Sequence, residues 1–266
     1  MNRMVYGVGF VSSAWRRPLP TGPVGLPTNL LCEGELAAAY ADFAVADPNP
    51  SASYLLAYAR VIEQLHRRGP FLPMRYACLL PSKDAISDLL RARGREFLAM
   101  LEDVSGCDEF GLRILAGAPA PLAGTRCEPE TPLSVEQAEG GPGARYLAGR
   151  QARYAQRDAR RANAQDTAER FLAAFQGLYT SCRRAAPVDS DSMVSLCFLV
   201  RRQCQGRFRK TFRELQQDIS DKLLLTGPWP PYHFVAASAA DVASGANAAA
   251  ATLAAYGQRA SGEFES

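Results

Sequence analysis

Acid–base chemistry has few places to reside in this chain. Its 266 residues include two histidines, His66 and His233. An imidazole triad or a metal centre needs such side chains gathered with carboxylates, hydroxyls or thiols, and no spacing couples these two. His66 closes an amphipathic stretch beside Arg67 and Arg68, where it reads as a hydrogen-bonding partner for the last helical carbonyls. His233, between Tyr232 and Phe234, reads as structural. Neither a G-x-S-x-G elbow nor a G-x-x-x-x-G-K-[ST] loop occurs. "GVGF" at Gly7 lacks the third glycine of a dinucleotide fingerprint and lies inside a strand-like run, and "GGPG" at Gly140 has no strand before it. "DSDS" at Asp189 lacks the glycine and closing glutamate of a calcium loop. The expectation is no catalytic residue, no metal ligand set and no cofactor.

Two patterns invite a binding role instead. Arg150, Arg153, Arg157 and Arg160 recur at helical spacing, with Arg145 and Arg161 nearby, and form a basic stripe. Such a stripe is either a solvated face or a contact for an acidic partner; Asp158, Asp166 and Glu169 dilute it, which disfavours nucleic acid. The second pattern is "LLLTGPWPPYHFVA", Leu223 to Ala236, in which prolines bracket one of two tryptophans. Gly227 suits a turn that a Cβ resists, and Pro228, Pro230 and Pro231 stiffen the segment beyond it. The main reading is a rigid corner with Trp229 buried where a second sheet meets a long helix, and Tyr232 nearer the surface. The other reading is a partner surface formed by Trp229, Pro230, Pro231 and Tyr232. An enzyme acting on a small anionic substrate through Arg75 and backbone amides is the alternative of a different class, and Arg75 discriminates it. That role needs the guanidinium in a closed pocket with convergent polar groups. An RNA-binding ferredoxin-like module would need exposed aromatics on central strands, and the first half supplies few.

Composition narrows the class. The chain is 47% hydrophobic and 21% charged, ordinary for a globular protein with a real core. A net charge of +3 is too mild to imply nucleic acid. Seven cysteines, with no C-x-x-C, read as reduced thiols used as small hydrophobes, which fits a cytoplasmic protein. No run approaches the length of a membrane span, and the N-terminus does not read as a signal peptide.

The elements that carry these residues alternate. Met4–Val11 reads as a strand. Residues 35–45 read as a strand despite their alanines, and a helix capped at Ser51 or Ser53 buries Leu55, Ala59, Ile62 and Leu65. "GPFLPMRYACLL" reads as a strand in which Pro73 forces an edge or a bulge. One helix from Ser82 buries Ile86, Leu89, Leu90, Phe97 and Leu101, and Phe110, Leu112 and Ile114 mark a half-buried strand. The Pro- and Gly-rich residues 117–143 read as a linker. A long helix is expected over Ala144–Arg184 with Phe171, Phe175, Leu178 and Cys182 inward, then the strand "SMVSLCFLV" buried on both faces. A helix with Phe208, Phe212, Leu215 and Ile219 inward comes next, and then the strand "KLLLT". This predicts two small α+β domains, 1–116 and 144–235, with a flexible Ala-rich tail at 236–266.

The ordered motifs resemble a known family. "LLLTGPWPPYHFV" is similar to the C-terminal signature of the gas vesicle synthesis proteins GvpF and GvpL. "MVYGVGF", "GELAAAYADF", "FLPMRYACLLPSKDAISDLL", "GPGARYLAGRQAR" and "SLCFLVRR" resemble its other blocks, in family order from Met4 to Val235. Departures are Tyr58 where the family often has histidine, Ala77-Cys78 where Gly-Thr is usual, and Phe110 where Trp is frequent. The resemblance implies two α+β domains with ferredoxin-like elements, no catalysis, and an accessory role in building gas vesicles. It also implies binding of the small hydrophobic shell protein and work alongside other accessory proteins during nucleation or growth.

Overall fold

The computed structural model describes residues 2–12, 15, 18–43, 51–115, 142–185, 193–219 and 221–239. The first sheet comprises β1 (Asn2–Phe10), β2 (Asn29–Glu33), β3 (Leu36–Phe43), β4 (Phe71–Pro73) and β5 (Leu79–Leu80). Its order is β2-β3-β1-β4, and β5 also pairs with β1. The alanines of β3 are explained by cover on both faces: Leu36 through Ala41 are all buried, so small side chains fit where a helix former would otherwise prefer a helix. Pro73 ends β4 on the sheet edge, where a missing N–H costs no ladder bond. Gly7 is a packing residue, since a Cβ there would strike the Phe71 ring and the Leu72 carbonyl.

Helix α1 (Ala52–His66) starts at Ser51, whose hydroxyl accepts from the Tyr54 N–H at 3.3 Å. Its buried face holds Leu55, Tyr58, Val61, Ile62 and Leu65, and Ala59 is half-buried. Ser82 caps α2 (Lys83–Ala92) by accepting from the Ala85 N–H at 3.0 Å. The single helix expected from Ser82 is two: Arg93 leaves helical geometry (φ −114°, ψ 14°), and α3 (Gly94–Asp103) begins after it. Ile86, Leu90, Phe97 and Leu101 stay buried across the break because the kink preserves one apolar side, while Leu89 is half-buried.

The second sheet has the order β7-β8-β6-β9, formed by β6 (Cys107–Leu115), β7 (Ser181–Ala185), β8 (Met193–Arg201) and β9 (Lys222–Trp229). Phe110, Leu112 and Ile114 alternate as buried residues on β6, and Leu196 through Val200 are buried without interruption on β8. The long helix α4 (Pro142–Ala174) is shorter than expected. Gly177 takes φ +77°, a left-handed turn that stops it, so Cys182 to Arg184 form β7 instead of a last helical turn. Helix α5 (Gln205–Gln217) buries Phe208 and Phe212; Leu215 is half-buried and Ile219 lies past the helix end.

By compactness, the described residues within 1–110, 199–202 and 227–239 form one unit, and those within 111–198 and 203–226 the other. The first unit's core gathers Met4, Tyr6, Trp15, Tyr58, Ile62, Leu65 and Phe71. The second is built on phenylalanines: Phe175 stacks on Phe208 at 4.0 Å between centroids and meets Phe198 edge-on at 5.2 Å. Within that unit the buried Asp221 carboxylate accepts from Thr167 Oγ1 (2.6 Å) and Asn163 Nδ2 (3.1 Å), which ties α4 to the start of β9. Most of the expected linker and tail lies outside the described residues; of the tail, Ala236–Ala239 continue the final helix, α6 (Tyr232–Ala239).

Candidate functional site

Two acids open β6, and strand alternation sends them to opposite sides. Asp108 Oδ1 lies 2.6 Å from His66 Nε2 and accepts from Arg202 Nε at 3.2 Å. Arg202 also donates to the His66 carbonyl at 3.3 Å. His66 therefore does not bond the last helical carbonyls: its ring turns inward, and an arginine from the end of β8 reaches the helix end. His66 Nδ1 is buried with no hydrogen-bond partner.

The neighbouring Glu109 serves the other histidine. Its carboxylate accepts from the His233 backbone N–H at 2.8 Å and from Nδ1 at 2.6 Å. His233 is the second residue of α6, so a buried carboxylate satisfies a free amide and complements the positive end of the helix. Both histidines thus have structural partners. The sequence signal for this was the acid pair in "CDEFGLRIL": carboxylates within a strand of buried apolar residues require partners.

The Pro-Trp-Pro-Pro segment is held by the same strand. Gly227 adopts φ +111°, and a Cβ there would stand 2.6 Å from the Glu109 carbonyl oxygen and 3.2 Å from Phe110 Cα. Only glycine meets both conditions. The Gly227–Pro228 peptide is cis. The expected corner differs in detail. Strand β9 does not halt before the prolines but runs through Pro228 to Trp229, and the stiff extended path ends at Pro230 and Pro231, where α6 begins. Trp229 is half-buried, not the core residue expected, whereas Pro230 and Pro231 are buried. Tyr232 packs against the first unit's core, taking the inward role expected of the tryptophan. Burial pushes its phenol well above the usual range, and the nearby Glu63 and Glu109 add to that.

Arg75 is half-buried in a turn whose carbonyls serve the fold. The Tyr58 hydroxyl donates to the carbonyls of Met74 (3.0 Å) and Arg75 (3.2 Å), and the Arg75 carbonyl accepts from the Cys78 N–H at 3.2 Å. Tyr58 is fully enclosed, so desolvation holds its phenol far above the usual range. In the second unit Arg150, Arg153 and Arg157 are exposed on α4, and Arg160 is half-buried. Arg150 donates to the Tyr154 hydroxyl at 3.0 Å, and the Arg150 and Arg157 guanidinium groups lie 5.5 and 5.7 Å from that ring's centroid.

A family model described as "Gas vesicle synthesis protein GvpL/GvpF" matches residues 2–236. The chain belongs to the GvpL/GvpF family of gas vesicle synthesis proteins. A Gas vesicle protein F of Streptomyces sp. (strain CB03234) is 27% identical over 242 residues, covering 88% of this chain and all of that protein. The crystal structure of GvpF from Anabaena sp. PCC7120 superposes with a TM-score of 0.66 at 15% identity, over 89% of this chain and 99% of that one. GvpF from Microcystis aeruginosa gives 0.66 at 14% identity, over 88% and 98%. The GvpL/GvpF match takes in every residue of the acid–histidine pairs and of the proline-rich segment. No helix among the described residues is long and apolar enough to cross a membrane.

Proposed function

We propose that this GvpL/GvpF protein is a cytoplasmic accessory factor that binds the small hydrophobic shell protein while a gas vesicle nucleates or grows, together with other accessory proteins. The observation that carries the reading is the family match over residues 2–236, accompanied by a GvpF-like fold. The chemistry of the candidate residues agrees with a non-catalytic role. Both histidines and both β6 acids are engaged in holding helix ends, and the half-buried Trp229, next to the exposed Pro228, leaves part of a large apolar ring for a partner.

The test is co-purification of the tagged chain with the shell protein from cells expressing the vesicle cluster. Recovery of the shell protein above a tag-only control is expected. Its absence, with the chain folded and expressed, overturns the binding claim.

A further inference from the structure

Helix α4 changes character along its length while keeping one face. Steps of three and four residues run from Phe175, just past its end, through Phe171, Ala168, Ala164 and Arg160 to Arg157, Arg153, Arg150 and Tyr146. The members from Ala164 onwards are buried in the second unit's core. The upstream end is uncovered: Tyr146 is 60% exposed, the adjacent Leu147 58% and Tyr154 48%, among the most exposed large apolar side chains described. Residues 142–161 also hold six arginines against one aspartate, a net +5 in a chain of net +3, so the rest of the chain is weakly acidic.

We propose that the first half of α4 docks an acidic amphipathic helix of another protein. The occupant is chosen by charge and by the spacing of apolar groups. Tyr146, Leu147 and Tyr154 span about two helical turns, the reach of one partner helix with apolar residues three and four apart. Arg150, Arg153 and Arg157 lie among them and call for carboxylates on the partner's flanks. A lipid surface fits less well, because arginines interrupt the apolar face that a membrane helix would insert. Single-stranded nucleic acid fits less well too: the exposed Tyr154 ring already carries two guanidinium groups and is poorly placed to stack on a base. This surface lies in a different unit from Trp229, and its occupant is defined by chemistry, so it stands or falls apart from the shell-protein reading.

The test uses the full chain and a synthetic helical peptide with leucines at i, i+3, i+4 and i+7 and glutamates elsewhere, monitored by fluorescence anisotropy. Binding is expected, weakening with salt, and weakening about tenfold or more in the R150E/R153E/R157E variant with an unchanged melting temperature. A peptide of identical composition with its leucines scattered round the helix should bind several-fold more weakly, and L147D should remove that difference. Parallel titrations use phosphatidylserine-containing vesicles and a poly(U) strand. No peptide binding, equal binding of the scattered peptide, or tighter binding to vesicles or poly(U) would each overturn the proposal.

Discussion

Glu109 and His233, 124 residues apart, are joined twice, through the histidine's backbone amide at 2.8 Å and its ring at 2.6 Å. The pair fixes the first turn of α6 to β6 and so sets where the chain goes after the prolines. Replacing Glu109 by Ala removes the carboxylate that accepts from this part-buried amide and from the ring, so a loss of about 1–3 kcal/mol is expected. Urea denaturation reads it directly. Glu109→Gln, which keeps an acceptor, should lose less; equal stability of the alanine variant and wild type would show that the pair contributes nothing net.

Two substitutions between glycine and alanine should act with opposite signs. Gly227→Ala sets a Cβ against the Glu109 carbonyl at φ +111° and should destabilise by about 2 kcal/mol or more. Ala77 sits at φ +62° in the turn closed by the Cys78 N–H, where the resembled family usually has glycine. Ala77→Gly relieves the left-handed strain and should stabilise by roughly 0.5–1 kcal/mol after the entropy of the freer unfolded chain is counted. Thermal melts of both variants check the pair, and a destabilised Ala77→Gly protein would contradict the strain argument.

The aromatic residues of the two units should differ in cost. Phe175, fully buried among three other rings, should lose about 3–5 kcal/mol on truncation to Ala. Trp229 is half-buried, so Trp229→Ala should cost less, about 1–3 kcal/mol. A Trp229→Ala variant that fails to fold while Phe175→Ala survives would reverse the assignment of core and rim.

The range of each interaction decides how legible it is in the sequence. Ser51 and Ser82 announce helix starts through bonds to amides three residues on, and Phe110, Leu112 and Ile114 announce a strand by alternation; local chemistry settles both. The break at Arg93 and the stop at Gly177 are hidden because an apolar stripe continues in sequence across each of them. The site is less readable still. His66 and His233 look idle in sequence because their partners, Asp108 and Glu109, lie 42 and 124 residues away. The proline-rich segment shows its stiffness but not its direction, which depends on Tyr232 finding the first unit's core while Trp229 stays partly outside it.

Alkaline titration should separate the buried phenols. The chain has ten tyrosines, and burial raises Tyr6, Tyr58 and Tyr232 above the ordinary value of 10.0. A raised folded-state value means that stability is intact below about pH 10 and falls as pH climbs towards the folded values. Phenolate absorbance of the native protein should therefore plateau short of ten groups and complete only on unfolding, whereas denatured chain titrates in one step. Full titration with native circular dichroism intact would contradict the burial of these rings.

The central claim is that this GvpL/GvpF protein is needed to build gas vesicles. It is tested most directly by deleting its gene, and any paralogue's, from an otherwise intact vesicle cluster and imaging the cells by electron microscopy, with re-expression as the control. The account predicts absent or misshapen vesicles that re-expression restores. Vesicles of normal number and shape in the deletion strain would contradict it.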